Sequence, residues 1–166
     1  AWVDPAELLA DVATLYGDEK LSVRVESGDG AERAGARGGG ALWCDRDQMR
    51  RVLLNLVNNA LAAQETAGRT APVEIVAGLA RDGGIRIRVL DRGPGVPEGE
   101  RRRIFEPDVT TKPDGMGLGL AIVESTIQSH GGTIEVADRE GGGAEFVIAL
   151  PPGPRESPGW AQGEAE

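Results

Sequence analysis

The stretch RRVLLNLVNNALAAQ, residues 50–64, sets three asparagines, Asn55, Asn58 and Asn59, into a core-like apolar pattern. Asparagine is a middling helix former, and an unpaired buried amide costs about 1–3 kcal/mol. At about 100° per residue, Met49, Leu53, Leu54, Leu56, Val57, Ala60 and Leu61 fill one broad arc. Asn55 and Asn59, four residues apart, share a stripe on the other side, with Asn58, Arg51 and Ala62 beside them. Solvated strips usually carry Glu or Lys, so the repeated amides read as a cleft wall presenting neutral oxygens to a ligand or a hard cation. Mg²⁺ prefers oxygen ligands, keeps several waters and is often shared with phosphates, and a side-chain amide oxygen suits it.

Two glycine-rich bends could face that wall. DRGPGVP follows directly on the strand-like IRIRVL, which puts Asp91 at a strand end. A carboxylate only accepts hydrogen bonds, so Asp91 suits an amino donor such as adenine's exocyclic amine, and Gly93 and Gly95 permit a sharp turn or close approach to a flat ligand. DGMGLGLAI places Gly115, Gly117 and Gly119 at the start of a helix, where unpaired amides and the helix dipole favour an anion. No Gly-Lys-Ser/Thr follows, so this is not a Walker loop. Just upstream, Thr111 and Lys112 add a hydroxyl and a cation.

These groups need a scaffold, and 166 residues supply one domain's worth of core. The net charge of −9 argues against nucleic acid, whose partners usually show a basic patch. The single cysteine, Cys44, excludes an intramolecular disulfide framework and reads as a strand residue in a reducing compartment. No run of about 18 apolar residues occurs, so no membrane contact is expected and the segment is expected to be cytoplasmic, with any anchor outside it.

The pattern predicts a helix over 4–16, opened by Asp4 and Pro5, with Leu8, Leu9, Val12 and Leu15 on one side. It predicts a strand at 21–26, a flexible loop at 27–40, a short strand at 41–45 and the asparagine helix capped by Asp45 or Asp47. A hairpin over 73–80 and 85–91 turns at Asp82-Gly83. A short charged helical piece, EGERRRIF, and a loop lead to a helix ending at Gly131-Gly132, then strands TIEVAD and AEFVIALP. Residues 1–151 form the expected domain; 152–166, rich in Pro, Gly and Glu, are expected to be a disordered tail or linker. About six strands and three substantial helices in mixed order imply an α/β fold: a two-layer α/β sandwich with a mixed, mostly antiparallel sheet and helices on one face.

Taken in order, these pieces resemble the ATP-binding catalytic domain of sensor histidine kinases, in the superfamily shared with DNA gyrase, heat-shock chaperones and mismatch-repair ATPases. DRDQMRRVLLNLVNNA (45–60) looks like the N box, DRGPGV (91–96) the G1 box, IFEP (104–107) the F box and GMGLGLAIV (115–123) the G2 box. The wording FEPDVTTKPDGMGLGLAIV is similar to the nitrogen-regulation type. The resemblance implies the Bergerat ATP-binding fold, ATP and Mg²⁺ as ligands, and transfer of the γ-phosphate to a histidine. Asn59 would supply an oxygen to Mg²⁺, with Asn55 indirectly involved. Asp91 would bind the adenine amine in a pocket shaped by Gly93 and Gly95. Residues 97–116 would form a lid. Thr111, Gly115, Gly117, Leu118 and Gly119 would contact the triphosphate, and Lys112 would meet its terminal end as the one catalytic cation. Implied partners are a histidine-bearing dimerisation domain of the same protein and a downstream response regulator.

Three departures stand out: Asp108 where an aromatic commonly follows FEP, Ala62 and Ala63 where a Lys often follows the N box, and Ala144-Glu145 where threonines are common. His130 precedes Gly131-Gly132 at a helix end, matches the family's structural HGG and is read as structural, not as the phosphoacceptor. Relatives that chiefly hydrolyse ATP carry Glu at the position of Asn55. An amide cannot take water's proton, so kinase chemistry is preferred over an ATPase; a nucleotide-sensing scaffold is the remaining alternative.

Overall fold

The computed structural model describes residues 1–26, 40–107 and 119–154. Thr111, Lys112, Gly115, Gly117, Leu118 and Asp108 lie outside the described residues, as do most of the 27–40 loop, the lid from residue 108 on, and positions 155–166.

The chain begins with β1 (Trp2–Val3) and α1 (Pro5–Ala13). Asp4 caps α1 by accepting the Ala6 N–H, and Pro5 occupies its first turn. There follow β2 (Leu21–Glu26), β3 (Leu42–Trp43) and α2 (Arg46–Thr66), the asparagine helix, whose Asp45 cap accepts the Gln48 N–H at 2.9 Å. The hairpin strands are β4 (Val73–Leu79) and β5 (Ile85–Leu90). Helix α3 (Gly119–Ser129), β6 (Thr133–Asp138) and β7 (Ala144–Leu150) complete the fold.

Five strands form one sheet in the order β2-β4-β5-β7-β6, with β2 and β4 parallel and every other pair antiparallel. The parallel pair needs a long crossover, and α2 supplies it. Strand alternation sorts the two faces. Leu21, Ile75, Ile87, Val89 and Ile148 meet Leu8, Val12, Leu53, Leu56, Val123 and Ile127 from the helices in one core. The other face carries a charge lattice in which Arg88 pairs with Glu26 and Glu145, and Glu74 with Arg24 and Arg139. The α/β two-layer arrangement expected from the sequence is therefore present.

Four local expectations need correction. Trp2–Val3 is a strand that the pattern does not reveal, because a two-residue strand has no period; it pairs with Leu42–Trp43 in a separate two-stranded sheet, where the two tryptophans meet edge to face. Helix α1 stops at Ala13, three residues early; the next turn tightens through Leu15 N–H to Val12 C=O, and Leu15 swings off the apolar stripe to 55% exposure. EGERRRIF is two 3₁₀ turns, Glu98–Glu100 and Arg103–Phe105, since so short a segment cannot offset helix nucleation. Its Phe105 is buried edge-on against Phe146. Cys44 lies just past β3; it is buried, and that burial pushes its thiol up to about 11.

Candidate functional site

Strand β5 ends at Leu90, and Asp91 continues its ladder by donating its N–H to the Ala144 carbonyl of β7. The Asp91 side chain is 3% exposed. Its Oδ1 accepts the Gly93 N–H at 2.8 Å and the Ala144 N–H at 3.2 Å. Among the described residues no donor reaches Oδ2. Burial raises the carboxyl pKa; the two backbone bonds and the charge of Arg139 oppose that rise without cancelling it. The result is a desolvated acceptor with one oxygen ready for an outside N–H.

The turn after Asp91 lies directly on α2. A Cβ on Gly93 would come within 2.8 Å of the Ala63 methyl and 3.1 Å of its carbonyl carbon, so only glycine lets the turn settle there. Ala63, noted above as a departure, is thus the floor of this turn. Gln64, one residue on, accepts the Arg92 N–H through Oε1 at 2.8 Å. On the far side the Arg92 guanidinium donates to the Glu140 and Gly142 carbonyls of the β6–β7 turn. Gly143 has φ +107°, and a Cβ there would overlap the Asp91 carbonyl at 2.0 Å. Gly95 also takes a positive φ, +78°. Asp91 is therefore bracketed between the end of α2 and a glycine turn.

The asparagines divide. Asn58 is exposed and accepts a hydrogen bond from the Tyr16 hydroxyl at 2.8 Å, so it belongs to the α1 side and not to the site. Asn55 and Asn59 are half-buried. Asn55 faces the start of α3: a Cβ on Gly119 would lie 3.7 Å from its Oδ1. Helices α2 and α3 pack side by side and leave a groove of about 330 Å³, lined in part by Gln48, Arg51, Asn55, Ile122 and Thr126. Of the sequence-predicted site residues, the structure places Asn55 beside Gly119, Asp91 and Gly93 in a turn against α2, and Gly95 against Gly143 of the β6–β7 turn. Glu145 points to the charge lattice, and Ala144 meets Asp91 through backbone groups alone.

His130 ties the two helices together at their other ends. Its Nε2 accepts the Asp45 N–H at 3.1 Å, so Nδ1 carries the proton and donates to the Thr126 carbonyl at 2.8 Å. Both ring nitrogens are engaged, as a structural role requires. The adjoining hollow of about 620 Å³, at the start of α2, is lined by Trp43, Asp45, Arg46 and His130 among others.

The donor set at the amide wall fits a hard cation shared with a ligand. It offers neutral oxygens, and no group of three or more His, Cys, Asp or Glu among the described residues could hold a metal unaided. Sequence reasoning missed Gln64 and Arg92. Gln64 falls four after Ala60 and seven after Val57, on the apolar stripe, and a polar residue there is the signal that could have found it.

Residues 44–154 match the family described as histidine kinase-, DNA gyrase B- and HSP90-like ATPase. The chain belongs to that family. The sensor histidine kinase ZraS of Escherichia coli O157:H7 is 42% identical over 110 residues, 66% of this chain and 23% of ZraS. The C4-dicarboxylate transport sensor protein DctS of Rhodobacter capsulatus is 38% identical over 108 residues, 64% of this chain and 16% of DctS. The match thus spans less than a quarter of these curated relatives. Among solved structures, the catalytic domain of histidine kinase ThkA superposes with TM-score 0.73 at 29% identity, covering 91% of this chain and 94% of that one. Full-length ShkA, solved in complex with AMPPNP, gives 0.72 at 33% identity, covering 91% and 30%. The fold is that of histidine kinase catalytic domains. Among the described residues no helix is long and apolar enough to cross a membrane.

Proposed function

We propose that this domain binds Mg–ATP and donates the γ-phosphate to a histidine on a separate dimerisation domain of the same protein, for onward transfer to a response regulator. The observation that carries the reading is Asp91: a buried carboxylate at a strand end, with one oxygen taken by two backbone N–H groups and the other without a donor among the described residues. On this reading Oδ2 accepts the adenine amine, and Gly93 and Gly95 shape the base pocket. Asn59, with Asn55 one turn before it, holds the cation through side-chain oxygens and water. Bound magnesium would draw charge from the phosphates. Gly115, Gly117, Leu118 and Gly119 give backbone amides to the triphosphate at the start of α3, Thr111 a hydroxyl, and Lys112 meets the terminal phosphate.

Transfer is then a matter of positioning. The acceptor imidazole nitrogen attacks the γ-phosphorus, the bond to the β–γ bridging oxygen breaks, and ADP leaves as phosphohistidine forms. Asn55 cannot deprotonate water, which favours transfer over hydrolysis. Residues 1–151 are the catalytic unit of this proposal, 152–166 a trailing segment, and the cytoplasm its location. The test is a transfer assay with γ-labelled ATP and a supplied helical domain bearing the acceptor histidine. Label on that histidine, lost in Asn59→Ala, is the expected result; nucleotide binding without any transfer would leave a sensing module.

A further inference from the structure

The buried amide of Gln64 lies where the two halves of the site join. It is 2% exposed, in the last turn of the helix that carries Asn55 and Asn59. Its Nε2 donates to the Ala71 carbonyl at 2.6 Å, and its Oε1 accepts the Arg92 N–H at 2.8 Å. The partners fix the orientation of the amide, because a carbonyl can only accept and an N–H can only donate. One side chain therefore links three things: the asparagine helix, the chain that leaves it for β4, and the residue directly after Asp91.

We propose that Gln64 is a positioning residue for nucleotide-base recognition, holding the Asp91 turn at a set height above the asparagine wall. This rests on the reading of Asp91 as the base acceptor. Core filling alone does not account for Gln64: neighbouring stripe positions are Val57 and Ala60, and an apolar side chain there would avoid desolvating an amide. Gly93 reaches α2 through bare van der Waals contact with Ala63, which limits approach but does not set direction. The Gln64–Arg92 bond supplies the direction, and the Arg92 guanidinium, fixed to the β6–β7 turn, holds the other side. Without the amide the turn keeps its seat but loses the bond that aims the Asp91 carboxylate.

The test compares binding of Mg–ADP with Mg–IDP, whose base bears a carbonyl in place of the amine, by titration calorimetry well below the melting temperature. Wild type is expected to prefer ADP. In Gln64→Met that preference falls about tenfold, the worth of roughly one hydrogen bond, through weaker ADP binding with IDP binding little changed. A merely structural role would weaken both nucleotides equally or lower only the melting temperature; a Gln64→Met protein with full ADP preference overturns the proposal. Gln64→Asn, which keeps an amide too short to reach both partners, gives the same reading should the methionine variant not fold. Asp91→Asn separates the two levels of inference. If wild type and Asp91→Asn bind ADP and IDP alike, the base-acceptor reading itself has failed. If Asp91→Asn abolishes the preference and neither Gln64 variant changes it, only the role of Gln64 has.

Discussion

The end of α2 and the end of β5 each bury one polar side chain, and these two, Gln64 and Asp91, are the buried polar residues among the described part of the chain. They are treated in opposite ways. The Gln64 amide spends both ends on backbone groups of this protein. Asp91 concentrates two backbone donors on Oδ1, and none among the described residues reaches Oδ2, although burial makes an unmatched carboxylate expensive. A satisfied buried group holds the scaffold together, and a half-satisfied one is waiting for something. His130 belongs with Gln64, since both of its ring nitrogens are already taken.

The largest effect should come from Asp91→Asn. The amide can keep the bonds from Gly93 and Ala144 on its oxygen, but it turns an N–H toward the ligand, and nucleotide affinity should fall about a hundredfold or more, as for sites whose buried polar group loses its match. Stability should move the other way. Because the folded carboxyl pKa is raised, the native state holds its proton longer than the unfolded chain does. The stability this lends is fully present below the ordinary value of about 3.9 and is lost as pH rises through the folded value. At neutral pH the charged Asp91 is a cost that asparagine removes, so the unliganded variant should melt no lower than wild type. A clear drop in its melting temperature would break the contrast with Gln64.

Gly93→Ala should be next. The added methyl meets Ala63 at 2.8 Å, with backbone carbon behind it, and should destabilise the fold by about 1–3 kcal/mol in denaturant titration while weakening nucleotide binding. His130→Leu should give the smallest change. It removes two hydrogen bonds, one exposed and one part-buried, for a loss of about 1 kcal/mol, and nucleotide affinity should not change. A nucleotide-binding defect in that variant would mean that the start of α2 and the end of α3 are part of the site after all.

Most of the frame was legible in the sequence because it rests on period and punctuation. The alternation in LSVRVE and IRIRVL, the Asp-Gly hairpin turn, the Asp4-Pro5 cap and the glycines after His130 each act locally. What was not legible depends on partners far along the chain. Tyr16 claims Asn58 from 42 residues away, and nothing near Asn58 announces it. Trp2–Val3 becomes a strand only because Leu42–Trp43 comes alongside. Leu15 satisfies the helical period, but the chain leaves the helix before reaching it. At the candidate site, the place of the Asp91 turn was legible from its position after a strand. Gln64 and Arg92 were not, since their importance lies in a bond between the end of a helix and the end of a strand.

The measurement closest to the central claim is calorimetric titration of the purified chain with AMPPNP, with and without Mg²⁺. One saturable site per chain, tighter with Mg²⁺ and absent in Asp91→Asn, is the predicted result. No binding at millimolar nucleotide, or binding indifferent to both the metal ion and Asp91, would contradict it.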